Sequence, residues 1–308
     1  MTGRASAAVT SLAVLAGAAL AAQARVNGAL RERVGAAVVV ALVSFGTGLV
    51  ALAGGALATG RWRAAARLRH GTRWWWWLGG LAGATLVASS AAAVPSVGVA
   101  LTSVAVVAGS TTGSLVVDKI GLSPRGPQPL TAPRVAGAAL AVAGLLVGTV
   151  GRHGSVRPWL LALVGAAGFA SAAQQAANGR LQQASGEALV AASVSFLVGT
   201  VALAVLVGGL AATGTLPPLH WPPFSGLYLG GLGGAAYIAL GAWSVPRIGV
   251  LHLTLGTVAG QLVAGVLLDA VVPAGGNGVH TASVAAAACT LVAVLVASRG
   301  RGTGPTPR

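Results

Sequence analysis

Two pairs of amide side chains interrupt apolar runs of this chain at the same spacing. Gln23 and Asn27 lie four residues apart in QARVNG, and Gln174 and Asn178 lie four apart in QQAANG. Residues at i and i+4 share one face of an α-helix, so both members of a pair project to the same side. An amide that faces hydrocarbon without a partner is costly, so we expect each pair to contact a neighbouring helix or a bound polar ligand.

The asparagine of each pair precedes a glycine, Gly28 or Gly179. An Asn-Gly pair is suited to ending a helix, so the sequence predicts that the first and sixth helices end there. This interpretation favours a structural role for the asparagines. Gln23 and Gln174, one turn deeper, are then the better candidates for ligand contact, and interhelical bonding stays open for all four amides.

The elements that must position these side chains are apolar helices. Of 308 residues, 55% are apolar and 7% charged, too few polar residues to cover a water-soluble domain. Apolar runs of about 20 residues, the length that crosses a hydrocarbon layer, recur without the alternation of barrel strands. The predicted fold class is all-α, a polytopic membrane protein with ten transmembrane helices. The runs lie at 8–20, 36–59, 74–93, 97–117, 135–151, 158–178, 187–212, 226–244, 248–268 and 281–298.

The amide pairs belong to a tandem repeat. A shift of 151 positions places Gln174 on Gln23 and Asn178 on Asn27, and carries VSF at 43–45 onto VSF at 194–196. Each copy holds five predicted crossings, an odd number, so the second copy must enter the bilayer from the opposite side. The sequence therefore predicts two inverted five-helix repeats, an architecture of secondary transporters with the substrate site between the halves. The predicted bounds are 1–151 and 152–299, followed by a disordered tail at 300–308.

Other polar and aromatic residues of the predicted helices are further cavity candidates. Gln261 lies near the middle of the ninth helix, and Tyr237 and Trp243 lie on the eighth, where they either stack on an aromatic or cationic substrate or pack in the core. His252 is a candidate proton carrier because histidine titrates near neutral pH. An interfacial histidine near lipid headgroups is the simpler interpretation.

Four acids are present, and none is expected at a helix centre. Asp118 and Asp269 occupy matched positions at the ends of the fourth and ninth helices, where each is a candidate for pairing with a basic loop or for gating. For Asp118, the adjacent Lys119 is one example of such a partner. We expect no buried acid, which weakens a proton-coupling model that needs a carboxylate at the membrane midplane. Coupling through His252 and uncoupled flux stay open.

Matched prolines and glycines predict turns and close helix contacts. Pro95 and Pro246 are predicted to begin the fourth and ninth helices, because the fixed φ and missing N–H of proline suit a first turn. GxxxG spacing in the third and eighth helices predicts close approach to neighbouring helices. The glycines of these motifs are Gly79, Gly83, Gly230 and Gly234.

Membrane topology explains the formal charge of +15 better than nucleic-acid binding does. With a cytoplasmic amino terminus, fourteen of the 19 Lys and Arg residues fall on the cytoplasmic side, so the positive-inside rule predicts that both termini are cytoplasmic. These residues are scattered among loops, so no nucleic-acid partner is expected. The run Trp74–Trp77 follows five arginines and is predicted to lie at the membrane interface beside anionic headgroups.

No motif points to catalysis. The histidines and acids are dispersed, without HExxH or GxSxG, and the single cysteine, Cys289, lies in the last apolar run. We therefore expect no enzyme activity, no metal site and no cofactor.

The repeated motifs resemble those of a known transporter family. The pattern Q-x3-N-x2-L, then SFxxG, LGGxxGA, VPxxG, and AGQ followed by an aspartate, is similar to the inner-membrane exporter (YdcZ-like) branch of the drug/metabolite transporter superfamily, over both halves. The resemblance implies a bacterial inner-membrane carrier of ten helices, whose central cavity is walled by helices 1, 3, 4, 6, 8 and 9.

We therefore predict a secondary transporter, an exporter of a small metabolite or amphiphilic compound that works by alternating access. Its expected partners are the lipid bilayer, a small-molecule substrate and, as a candidate driving force, a proton or ion gradient. A non-transporting scaffold protein also explains the apolar packing, but it gives no reason for amides at matched depths. Substrate, direction and coupling ion stay open, as does the formation of a homodimer.

Overall fold

Helices form almost all of the regular structure. The computed structural model describes residues 3–69, 71–124, 126–150, 157–273 and 279–299, and within these ranges the side chains of 3–10, 69, 239 and 241–253 are not described. The predicted tail at 300–308 lies outside these ranges. Within the ranges no strand occurs, which confirms the all-α class. The helices are α1 (Gly3–Val34), α2 (Ala37–Ala58), a 3-10 helix (Arg61–Arg69), α3 (Trp74–Trp77), α4 (Gly79–Lys119), α5 (Ala132–Val147), α6 (Pro158–Ser185), α7 (Ala188–Ala212), a second 3-10 helix (Gly226–Leu229), α8 (Gly231–Val271) and α9 (Thr281–Arg299).

Two of the helices are long enough to cross a membrane twice. α4 and α8 have 41 residues each, or about 60 Å at 1.5 Å per residue, against about 30 Å of hydrocarbon. α4 therefore contains the third and fourth predicted helices, and α8 the eighth and ninth. Together with α1, α2, α5, α6, α7 and α9 they supply the predicted ten segments. By length and composition, seven stretches of the described chain qualify as membrane spans, and α5 is a shorter apolar helix.

α1 and α6 run past their Asn-Gly pairs, so the prediction that these pairs end the helices is wrong. Both helices continue for about two further turns. Each ends at a glycine with positive φ, Gly35 at 93° and Gly186 at 78°, whose N–H donates to the carbonyl four residues earlier. Gly28 has a packing role instead, because a Cβ there would lie 2.6 Å from Cγ1 of Val94.

Pro95 does not begin a helix, contrary to the prediction. It lies inside α4, and the helical backbone breaks further along at Gly98, with φ 82° and ψ 170°. The φ of proline fits a helix, and its missing N–H only weakens the turn, whereas a φ of this sign is readily adopted by glycine alone. The break therefore falls on the glycine of VPSVG. Pro246 lies within α8, among the side chains that are not described.

The principal helix contacts join the first half of the chain to the second. α1 packs most extensively against α8 and α4 against α6, while α5 packs against α9 and α2 against α7. α4 is the most enclosed helix: 78% of its most apolar window is buried, against 50% or less in the other spans. The core is therefore the interface between the two repeats.

Close contacts at this interface recur in pairs related by the 151-residue shift. Phe45 of α2 and Phe196 of α7 occupy matched positions, and their rings stack with centroids 4.8 Å apart. A Cβ at Gly48 would lie 2.3 Å from the Phe196 ring, and one at Gly199 would lie 2.3 Å from the Phe45 ring. Two glycines thus make room for one aromatic pair between α2 and α7.

We predict that Gly48→Val destabilises the protein, because the added side chain would force Phe196 out of its stack. Overpacking of this kind costs about 1–3 kcal/mol. Gly54→Val on the same helix is the matched control, since Gly54 is exposed and no atom lies within 4 Å of a Cβ placed there. Thermal unfolding in detergent should show a lower Tm for the first variant and an unchanged Tm for the second. Equal Tm values would contradict the packing role.

Candidate functional site

Each amide cluster bonds to a serine on the next helix of its own half. On α1, the side-chain amide nitrogens of Gln23 and Asn27 donate to Oγ of Ser44 on α2, at 3.4 and 3.1 Å. In the second half, Nε2 of Gln174 on α6 donates to Oγ of Ser195 on α7 at 3.1 Å. The serines are matched by the 151-residue shift, as the glutamines are. The same amide–hydroxyl contact therefore occurs in each half.

The GxxxG glycines of one half lie against the amides of the other half. A Cβ at Gly234 would lie 3.0 Å from Oε1 of Gln23, and one at Gly83 would lie 2.4 Å from Nε2 of Gln174. The asparagines are placed likewise, with Asn27 against Gly230. Its counterpart Asn178 lies against Gly79. The glycines leave the space that the amide side chains fill between α1 and α8 and between α6 and α4.

Two of these amides keep an oxygen without a hydrogen-bond partner. Gln23 is 8% exposed and Asn27 is 2% exposed. Among the described side chains, Oε1 of Gln23 and Oδ1 of Asn178 are buried and accept no hydrogen bond. An unpaired acceptor in an apolar interior costs free energy, so these two oxygens are sites where a donor group would be stabilising.

A buried carboxylate occupies the break in α4. Asp269, near the end of α8, accepts hydrogen bonds from the backbone N–H groups of Val99 and Ala100, to Oδ1 at 2.8 Å and Oδ2 at 2.9 Å. These N–H groups begin the helical stretch after Gly98, where a negative charge also interacts favourably with the helix dipole. Asp269 is only 3% exposed. The expectation that no acid is buried is therefore wrong.

The matched acid, Asp118, has a different partner. It forms an ion pair with Arg134, at the end of the loop 121–134 and the start of α5, which agrees with the predicted pairing to a basic loop. Lys119, the predicted example of such a partner, does not make this contact. Neighbouring residues on a helix point in different directions, so Lys119 is exposed to solvent while Asp118 turns toward α5. Arg134 is 7% exposed and also donates to the carbonyl of Pro129 at 3.1 Å.

Two arginines, which sequence reasoning assigned only to loops, bond to the ends of the long helices. Arg25 of α1 donates to the carbonyls of Val272 and Pro273, at 2.9 and 3.1 Å, just after α8. Arg180 of α6 donates to the carbonyls of residues 121–123, at 2.8–3.4 Å, just after α4. A cation is stabilising at a helix carboxyl end. The position of Arg25 and Arg180 in otherwise apolar helices was the feature of the sequence that could have indicated a structural role for them.

The remaining candidates do not join these clusters. Gln261 and Tyr237 are half-buried on α8, and no side-chain hydrogen bond to either amide cluster is found in the described part of the chain. The backbone of α8 includes Trp243 and His252, but their side chains lie outside the description. The described ranges contain no group of three His, Cys, Asp or Glu side chains placed to hold a metal ion.

The cavities that the structure describes are apolar grooves. One of about 420 Å³ lies between α4, α5 and α6 and includes Gly109 and Phe169. Another of about 400 Å³ lies between α2 and α8 and includes Thr47 and Leu232. Neither is lined by the amides, which are packed between helices in this conformation.

These features define an integral membrane protein of ten helical segments with polar clusters at the contact of two similar halves. A family model described as "Putative inner membrane exporter, YdcZ" matches residues 8–147 and again residues 159–296. The chain therefore belongs to this family, which confirms the resemblance found in its motifs. The description of the family implies a transporter rather than an enzyme.

Comparison with known proteins adds a fold but no activity. A solved structure described only as "Crystal structure of protein" is similar over 96% of each chain, with a TM-score of 0.57 and 20% sequence identity. This similarity shows a shared fold. No curated protein matches the chain.

We predict that Asp269→Ala leaves the backbone N–H groups of Val99 and Ala100, at the break in α4, without their hydrogen-bond acceptor. Two hydrogen bonds to a charged acceptor are lost, at a cost of about 3 kcal/mol, whereas Asp269→Asn keeps one acceptor oxygen and should cost less. Hydrogen exchange of residues 99–103 should accelerate most in the alanine variant. Glu32→Ala, at an exposed position, is the control. Unchanged protection in Asp269→Ala would contradict the capping role.

Proposed function

We propose that the protein is a secondary transporter that exports a small metabolite or amphiphilic compound across a bacterial inner membrane by alternating access. In this proposal, residues 1–151 and 152–299 are inverted repeats, because each supplies five crossings. The observation that carries it is the repeated amide cluster at the contact between the halves, in a chain that belongs to an exporter family. Inverted repeats with a site between them are the usual basis of alternating access.

The proposed substrate contacts are the amides. In the packed conformation Gln23 and Gln174 bond to Ser44 and Ser195, and Oε1 of Gln23 accepts nothing. When the halves separate, each amide can exchange its serine for a substrate group, and the unpaired oxygens gain a donor. Tyr237, Gln261 and Trp243 on α8 remain further candidates, and His252 remains the candidate proton carrier.

The proposed gates are the contacts at the ends of α4 and α8. At one end, Asp269 binds the break in α4 while Arg25 binds the end of α8. At the other, Asp118 pairs with Arg134 while Arg180 binds the end of α4. Each set joins helices of different halves or neighbouring segments, so its release would open one end. With both termini cytoplasmic, the first set faces outward and the second inward.

A scaffold without transport activity is the second candidate, and one observation favours it. The amides of both halves already have serine partners in the interior, as interhelical bonds of a static bundle would. A scaffold gives no role to the two unpaired amide oxygens. The two candidates differ in whether amide substitutions change flux or only stability.

We predict that Gln23→Leu and Gln174→Leu lower flux by about tenfold or more, the effect of losing one hydrogen bond of about 1.4 kcal/mol in a transport step. Flux is measured in proteoliposomes across a metabolite panel. The control is Gln182→Leu, the same change at an exposed position of α6. A parallel loss of flux and thermal stability favours the scaffold, and absence of saturable flux for all compounds with folded protein contradicts transport.

We predict that Glu32 and Gln183 lie on opposite sides of the membrane. The two residues are matched by the 151-residue shift, and both are exposed. In a Cys289→Ala background, Glu32→Cys and Gln183→Cys should react with an impermeant maleimide from opposite sides of sealed cells and inverted vesicles. Arg33→Cys, next to Glu32 and also exposed, is the same-side control. Labelling of both test positions from one side would exclude inverted repeats.

A further inference from the structure

Between α2 and α4, the described residues 61–69 and 71–77 form a surface segment with two chemically different faces; this segment is called 61–77 below. Its inner face packs against α6 and α7: Ala64 and Leu68 are buried in one cluster with Leu181, and Trp76 and Trp77 pack against the same cluster. The outer face is exposed. It carries Trp62, Arg63, Arg73 and Trp74.

The inner face is fixed by polar contacts as well. Arg67 donates to the carbonyl of Ser185, the last residue of α6, at 2.8 Å. Arg61 lies 3.6 Å from the carboxylate of Glu187, and Nε1 of Trp77 donates to the hydroxyl of Thr72 at 3.3 Å. The segment is therefore held in place from α6 and α7, and its outer face has a defined position.

The outer face presents cations and aromatic rings that the chain itself does not use. Arg63 and Arg73 are exposed, and neither makes an ion pair with any described residue. Trp62 is 51% exposed and Trp74 is 75% exposed. Large exposed rings beside unpaired arginines form a surface that is matched to an anionic partner with an apolar boundary.

The corresponding segment of the second half lacks the charges. Under the 151-residue shift, 61–77 corresponds to 212–228, which contains no Lys or Arg. It has aromatic residues instead, with the rings of Phe224 and Tyr228 stacked 5.6 Å apart. Both segments thus carry exposed aromatics, but only one carries cations, so the positive charge is a specific property of residues 61–77.

We propose that residues 61–77 form a docking surface for the headgroups of anionic phospholipids. Arg63 and Arg73 bind the headgroup phosphates, because guanidinium groups bind phosphate oxygens in a bidentate manner. Trp62 and Trp74 lie at the boundary between headgroups and acyl chains, where tryptophan is enriched. This inference does not depend on the transport proposal.

The position of the segment selects a lipid over other phosphate-bearing partners. It follows α2 by two residues and precedes α4 by one, and both are apolar membrane spans. The short connections hold the arginines at the level of the membrane surface, where the phosphates of the headgroups lie. Basic side chains next to spans are attracted to anionic leaflets in this way.

The test uses the full-length protein in neutral detergent, with bound phosphatidylglycerol counted by native mass spectrometry and phosphatidylcholine as the uncharged comparison. Arg63→Gln combined with Arg73→Gln should weaken phosphatidylglycerol binding roughly 30-fold, as expected when two basic side chains are lost from a membrane surface. Phosphatidylcholine binding should not change. Arg63→Lys with Arg73→Lys keeps the charge but loses the bidentate contact, so it should retain only part of the binding and lie between the unmodified protein and the Gln variant.

The matched control removes two exposed arginines elsewhere, Arg33→Gln with Arg157→Gln. If the control loses as much phosphatidylglycerol binding, the effect is only general electrostatic attraction and the proposal is overturned. Displacement of the lipid by millimolar inorganic phosphate would also overturn it, and so would tighter binding of single-stranded RNA than of phosphatidylglycerol. If the Gln variant fails to fold, brominated phosphatidylglycerol is added to the unmodified protein. The brominated lipid should quench the tryptophan fluorescence of the unmodified protein, and this quenching should be lost in the double variant Trp62→Phe with Trp74→Phe. Unchanged quenching in the double variant overturns the proposal.

Discussion

A polar group inside the apolar layer of this protein depends on the chain for its partner, because hydrocarbon offers no hydrogen bonds. Oε1 of Gln23 and Oδ1 of Asn178 are exceptions that stay unpaired. The break in α4 is the most demanding case. At Gly98 the helix stops and restarts, which leaves N–H groups at Val99 and Ala100 that no preceding turn can satisfy. Asp269 accepts both. A discontinuous helix can therefore be buried here because a carboxylate from the other half completes it.

The same requirement makes the two halves depend on each other. α4 of the first half is capped at its break by Asp269 and at its end by Arg180, both from the second half. α8 of the second half is capped at its end by Arg25 from the first. The amides follow the same arrangement. Gln23 of the first half fills the space next to Gly234 of the second, and Gln174 of the second half fills the space next to Gly83 of the first. Neither half has a complete polar interior alone.

The sequence predicts the helices better than the positions where they end or break. The run at 36–59 predicts α2, observed as Ala37–Ala58, because a continuous apolar stretch has one stable form in lipid. The repeat predicts matched positions, and the serine contacts of Gln23 and Gln174 occur at such positions. The errors at Pro95 and at Asn27-Gly28 share a cause. Local propensity sets where a helix can end, and tertiary packing can override it. α1 continues past Asn27, whose side chain donates to Ser44 of α2 instead of ending the helix.

The apolar grooves and the burial of Asp269 could not be predicted from the sequence in the same way. Hydropathy places Asp269 at a helix end without showing which residues face it. The two matched acids differ in their surroundings. Arg134, the partner of Asp118, has Ala285 as its counterpart in the second half. Asp269 accepts hydrogen bonds from the backbone N–H groups of Val99 and Ala100 in α4. One matched carboxylate is thus a half-buried member of an ion pair, and the other caps the buried break in α4. Contacts that differ in this way need different free energies to separate, so the two ends of the helix bundle are not equivalent.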